Sequence, residues 1–152
     1  MLTLTLEQVR FCAEECKRQQ SGELSVYHMA QAFAYLLSRS QEKDHERNVT
    51  PGLLIVLAMT IEPEKNAKGF RLVPVRFKNF SFGIDANLIP QSITSLCDHG
   101  QYGLTTDRFY EELMRIHPFI DGNGRVGALV WNYLNRTLDN PTCPPDFFNK
   151  GD

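Results

Sequence analysis

No stretch of this sequence carries a cluster of lysine and arginine, and the overall charge shows no basic excess. Sixteen basic residues stand against 18 acidic ones, for a formal net charge of −2. General nucleic-acid and membrane-surface binders show the opposite balance, so both partners are excluded. Long apolar runs are missing too. The longest, Leu53 to Met59, falls far short of the ~20 residues a membrane-spanning helix needs. The opening MLTLTLEQVR has neither the basic start nor the apolar stretch of a secretory leader. Cysteine is sparse, with Cys12, Cys16, Cys97 and Cys143 forming no recognisable disulfide framework. Cys12 and Cys16 are one helical turn apart, yet no histidine or further cysteine follows at zinc-site spacing. These absences lead to the expectation of a soluble cytoplasmic protein with reduced, partly buried thiols.

What the chain does contain is helical rhythm. At 152 residues it suits one domain with a core of its own. Thr5 and Gln8 have capping-box spacing, and Leu6, Val9, Ala13 and Cys16 then share a helix face. Ser25 is placed to cap a second helix with a stripe of Met29, Ala30, Phe33 and Leu37. Thr50-Pro51 reads as an N-cap with proline at the first helical position, and Pro63 ends that helix. Helical spacing resumes at Asn87 with Ile93, Leu96 and Cys97. Thr105 or Thr106 caps the next helix, which buries Phe109, Leu113 and Ile116. A last helix is expected from near Asn123 to about Leu138, with Val126, Val130, Tyr133 and Leu134 inward. Only residues 69–82, GFRLVPVRFKNFSF, break the pattern. Alternating aromatics and valines there predict a β-hairpin turning at Lys78-Asn79. Pro74 confines one side of it to an edge, which is either a small structural flap or a place for another chain's backbone to add.

The chemistry concentrates in the gap between the last two helices, HPFIDGNGR at 117–125. A helix start exposes unpaired N–H groups and the positive end of the helix dipole. Gly122 and Gly124 clear side chains from that approach, so an anion can come close to the backbone. Arg125 adds a planar fork suited to phosphate oxygens. Asp121, the loop's one acid, suits a hard cation such as Mg²⁺ accompanying a polyphosphate. His117 has an ordinary pKa of about 6.5 and is available as a neutral base near pH 7. Each residue alone is commonplace, but their convergence on one anion-shaped loop describes a site.

These nine consecutive positions, His117 to Arg125, resemble the signature of the Fic (filamentation induced by cAMP) family, HPFx[DE]GNGRxxR. The resemblance implies a mainly α fold, a Fic-type helical core with a small β-hairpin flap. It implies one domain over 1–152, its core at about 50–140, with N-terminal helices 5–38 packed on it. It further implies a protein adenylyltransferase that moves AMP from ATP, with Mg²⁺, to a Ser, Thr or Tyr hydroxyl of a target protein. In that scheme His117 is the general base and Asp121 the metal ligand. Gly122, Asn123 and Gly124 form the anion hole, Asn123 adding a side-chain donor, and Arg125 clamps the β/γ end. Phe119 anchors the loop in the core. The target protein would lie along the 69–82 flap.

Two features depart from the family pattern. Ala128 stands where the signature has its second arginine, which removes a charged phosphate contact worth about 1.5–3 kcal/mol. Arg71, Arg76, Arg115 and Arg136 are the candidates to replace it. Gly127, next to it, weakens a helix by about 1 kcal/mol relative to alanine. The family's inhibitory pattern [ST]xxxE[GN] is met only through its first five positions, at Thr60 to Glu64 and loosely at Thr3 to Glu7. A separate antitoxin-like regulator is the other route to control. The missing arginine also admits donors of UMP, phosphocholine or a phosphoryl group, and a catalytically silent Fic-like binding domain is the remaining alternative.

Overall fold

The computed structural model describes residues 3–42, 48–75, 83–101 and 103–145. Its regular structure is helical: α1 (Leu6–Arg18), α2 (Glu23–Ser40), α3 (Pro51–Ile61), α4 (Ile89–Gln101), α5 (Thr106–Ile116) and α6 (Asn123–Asn135). A 3-10 turn, Ala86–Leu88, leads into α4. No helix among the described residues is long and apolar enough to cross a membrane.

Helix starts follow local chemistry. Thr5 accepts from the Gln8 N–H at 3.2 Å while the Gln8 side chain accepts from the Thr5 N–H at 2.8 Å, a closed capping box. Thr50 accepts from Leu53 N–H at 3.1 Å with Pro51 in the first turn, and Thr105 accepts from Arg108 N–H at 3.1 Å. Caps of this kind contribute about 1 kcal/mol each. The second helix differs from expectation. It begins at Glu23, with Gly22 as its cap, and the Ser25 N–H already bonds Gly22 O at 3.1 Å.

α6 is the axis of the fold and packs on α5, α3, α2 and α1. Residues Arg125 to Val130 are all buried, so that stretch of the helix has no solvent face. Gly127 is explained by packing. A β-carbon there would come within 2.5 Å of Met114 Cε and 2.9 Å of the Tyr110 ring, so α5 and α6 cross closely and any side chain would have to displace both. α6 stops three residues earlier than expected, because Arg136 turns into the left-handed region at φ 60°.

α1 buries a face that shares only Cys16 with the one its apolar spacing suggested. Leu6 is 73 % exposed and Val9 40 %, whereas Gln8, Phe11, Cys12, Glu15 and Cys16 are inside. Phe11 sets the face, meeting Phe33 of α2 edge-on at 6.0 Å. The polar members are satisfied within the contact: Gln8 donates to Leu138 O at 3.1 Å and Glu15 pairs with Arg18 at 2.8 Å.

The β-hairpin expected at 69–82 is not seen: the described residues contain no strand, and 76–82 lie outside them. Residues 69–75 are bends and coil. Groups that a ladder would use are engaged elsewhere. The Arg71 N–H bonds Pro118 O at 2.8 Å, the Val73 carbonyl accepts from the Arg71 guanidinium, and Pro74 has no N–H. The two ends of the segment nonetheless meet, Gly83 N–H to Val75 O at 3.1 Å.

Candidate functional site

The site is built on the turn from α5 into α6. His117 closes α5 in the left-handed conformation, φ 52° and ψ 64°, its N–H bonded to Leu113 O at 3.0 Å. Few residues other than glycine adopt that geometry, so the base is placed by a constrained cap. Phe119, fully buried, then packs on Phe70 with ring centroids 5.7 Å apart and anchors the loop. The Asn123 carboxamide brackets it, accepting from Phe119 N–H and donating to Phe119 O, both at 2.9 Å. Those bonds give Asn123 a bracing task in the turn. Gly122 sits at φ +83°, where a β-carbon would also press Ile61 Cγ2 at 3.1 Å.

Val126 is the first residue of α6 whose N–H finds a partner in this helix, Gly122 O at 2.9 Å. The amides of Asn123, Gly124 and Arg125 therefore lack intrahelical acceptors and carry the positive end of the dipole. Over Gly124 lies the carboxamide of Gln19, whose atoms stand 2.5–2.6 Å from where a β-carbon would be. Arg125 is 2 % exposed and divides its fork between Glu62 Oε1 at 2.9 Å and Asp121 Oδ1 at 3.4 Å, while its Nε is buried without a partner. Asp121 also accepts from Gly122 N–H at 2.8 Å and from Lys65 Nζ at 2.7 Å.

Burial pushes the His117 imidazole down to about 4, assisted by the Arg71 charge and opposed by a hydrogen bond to the Met114 backbone and by Asp121. The ring is therefore neutral at pH 7. For Asp121 burial raises the pKa, but the Lys65 hydrogen bond, the Gly122 N–H and Arg125 outweigh it and hold the carboxyl below its usual range. The same contact raises the Lys65 ammonium.

His117, Asp121, Gly122, Asn123, Gly124 and Arg125 thus share one turn, as their adjacency in sequence demands. Around them the fold adds groups that sequence reading missed. Glu62, Lys65 and Asn66 come from the polar segment after α3, and buried Asn66 donates to Asp121 O at 2.9 Å and to Ala58 O at 3.0 Å. The acid that reaches the site is Glu62 at the C-cap of α3, whereas Glu64, the acid of the five-residue pattern, is exposed. Charge density in EPEKN was the one available signal, and it reads equally as a solvated turn. Nothing in the sequence points to Gln19, and Arg71 is singled out there only as a stand-in for the absent second arginine.

The replacement arginines are also placed. Arg71 commits its guanidinium to backbone carbonyls, Arg115 is exposed and pairs with Glu111 and Glu112, and Arg136 caps the far end of α6. Arg76 lies outside the described residues. Besides Arg125, the cation paired with the loop's carboxylate is Lys65.

No group of three or more His, Cys, Asp or Glu residues is poised for a metal among the described residues. A single carboxylate at the mouth of an amide-lined helix start fits Mg²⁺, which keeps several waters and takes its other ligands from phosphate oxygens.

Comparison with known proteins agrees with this geometry. Residues 23–134, from the start of α2 almost to the end of α6, match the Fic/DOC family. Among solved structures the chain is similar to a Fic-domain-containing signalling protein from Bacteroides thetaiotaomicron, with 23 % identity and a TM-score of 0.56. That alignment covers 87 % of this chain and 56 % of the other, so the chain spans little more than half of that protein's length. A comparison with curated proteins finds no match. With most of its length matched, and the loop from His117 to Arg125 inside the match, the chain belongs to the Fic/DOC family.

Proposed function

We propose that the protein is a Fic-type protein adenylyltransferase that transfers AMP from ATP to a Ser, Thr or Tyr hydroxyl of a target protein. The observation that carries this reading is the pairing of His117, on its left-handed cap, with the bare amides that open α6. In the reaction His117 takes the hydroxyl proton of the target. The freed oxygen attacks the α-phosphorus, and the bond to pyrophosphate breaks. The amides of Asn123, Gly124 and Arg125 receive phosphate oxygens, and the Arg125 fork turns to the polyphosphate from Glu62. Mg²⁺, when bound, neutralises phosphate charge, and Asp121 is the residue to hold it. A free-protein base at about 4 is a weak proton acceptor. Polyphosphate charge nearby favours the imidazolium and lifts it toward the working range. The target segment runs beside residues 69–82, where Leu72 and Val73 stand 75 % and 50 % exposed. Control by a separate antitoxin-like protein belongs to the same reading.

A second reading, transfer of UMP or a phosphoryl group, draws on Ala128. That residue is fully buried, so α6 offers no charge there to the terminal phosphate of ATP. Incubation with labelled ATP, UTP, GTP or CTP and Mg²⁺ separates the two, and mass spectrometry of the modified proteins names donor group and target together. His117→Ala is expected to reduce transfer by about 10²–10⁴-fold. Labelling by UTP alone would replace the adenylyl assignment, and undiminished labelling by the variant would remove His117 from the chemistry.

A further inference from the structure

We propose that Arg71 is a positioning residue for His117, its buried guanidinium holding the base-bearing turn, Val73 and Ile84 as one unit. The proposal rests on the reading of His117 as general base. Arg71 is 1 % exposed and donates along three stretches of chain. Nε reaches His117 O at 2.6 Å and Nη2 reaches Ile116 O at 3.2 Å. Nη1 reaches Val73 O at 2.9 Å, and Nη2 also bonds Ile84 O. The first two acceptors are carbonyls at the end of α5, which have no intrahelical donor and favour a cation. The last two lie beside Val75 and Gly83, which bond one another directly, Gly83 N–H to Val75 O at 3.1 Å.

No carboxylate among the described residues bonds this guanidinium, and Asp85 acts on it only through space. A buried charge without an acidic partner is costly, and an apolar side chain would fill the volume at less cost. What the arginine adds is register, since its rigid fork reads several acceptors at once and a lysine ammonium does not. Gly83 completes the arrangement. A β-carbon there would lie 2.7 Å from Arg71 Nη2, 3.2 Å from His117 Cβ and 3.4 Å from Ile116 O. The missing side chain is thus what lets the guanidinium and the catalytic turn close on one another. Among the described residues, the charged groups facing the imidazole are Arg71, from the segment after α3, and Asp121, from the loop. α5 contributes the Met114 backbone.

The test uses the full chain as wild type, Arg71→Met, Arg71→Lys and Gly83→Ala. Its readouts are thermal melting, the NMR titration of His117 (assigned by the signal lost in His117→Asn) and steady-state transfer. In Arg71→Met the His117 midpoint is expected to rise above about 4 while staying below 6.5, because burial, the larger cause of its depression, remains. Its kcat is expected to fall by about 10²-fold, the scale of a base misplaced by about 1 Å, with donor KM little changed. Arg71→Lys keeps the charge and so the low midpoint, but loses kcat. Gly83→Ala moves both readouts in the direction of Arg71→Met. A folded Arg71→Met with wild-type titration and kcat overturns the proposal, as does Arg71→Lys with wild-type kcat. If Arg71→Met does not fold, Arg71→Lys and Gly83→Ala decide. If the wild type transfers no nucleotide the functional reading falls, while the His117 titration in the variants still decides the role of Arg71.

Discussion

Ala128 is completely enclosed, and its carbonyl accepts from Asn132 Nδ2 at 2.8 Å. An arginine cannot simply be restored there. Ala128→Arg is expected to destabilise by about 1–3 kcal/mol from overpacking alone, with the buried charge adding to it. Melting and nucleotide titration would check this; a stable variant with tighter ATP binding would mean that only the charge was missing. His117 makes a prediction in pH. Its folded pKa of about 4 lies below the ordinary 6.5, so the unfolded chain takes up the proton first as pH falls. Its contribution to stability is full above 6.5 and is lost between 6.5 and about 4. Denaturant unfolding at pH 7.5, 5.5 and 4.5 should show that loss, and His117→Asn should flatten it. Asp121, whose carboxyl is also held low, stabilises above 3.8 and weakens only as pH falls through its folded value, a lower window.

Between elements, the link to examine joins the end of α3 to the start of α6 through Glu62 and Arg125. Removing one partner of a buried pair costs roughly 3–5 kcal/mol, and Glu62→Ala should fall near the lower end because Glu62 is partly exposed. The same change frees the Arg125 fork for phosphate. Lower melting temperature combined with tighter triphosphate binding is therefore the expected pair of results. Unchanged binding would show that the ion pair does not compete with the donor. Lys65 differs, being an exposed partner of Asp121 at 2.7 Å. Lys65→Met should leave stability within about 1 kcal/mol, as for surface ion pairs. It should weaken binding of triphosphate more than of monophosphate if the ammonium meets the terminal phosphates.

Over the whole molecule, α1 stands outside the family match yet inside the structure. Phe11, Cys12 and Cys16 are buried against the rest, and Gln19 reaches the cradle glycine. A buried apolar side chain contributes roughly 1.5–3 kcal/mol, against a total stability of about 5–15 kcal/mol for a domain. A chain beginning at Gly22 should consequently lose cooperative melting or melt far lower, although it retains the whole matched region. A truncated chain that melts like the full one would make α1 an appendage.

The division between sequence and fold follows the range of the interactions. Thr5, Thr50 and Thr105 are legible as caps because each bonds an amide three residues away. The loop from His117 to Arg125 is legible for the same reason, its amides, glycines and acid being neighbours along the chain. The inward face of α1, the close crossing at Gly127 and the coil at 69–75 were not legible, since each depends on what packs or bonds from elsewhere. The partners that complete the site come from still farther off. Arg71 meets His117 across 46 positions, Lys65 meets Asp121 across 56, and Glu62 meets Arg125 across 63. Local spacing determines which atoms of the loop can bind an anion. Only tertiary packing decides which charges surround it, because a side chain's neighbours across the fold leave no period in the sequence.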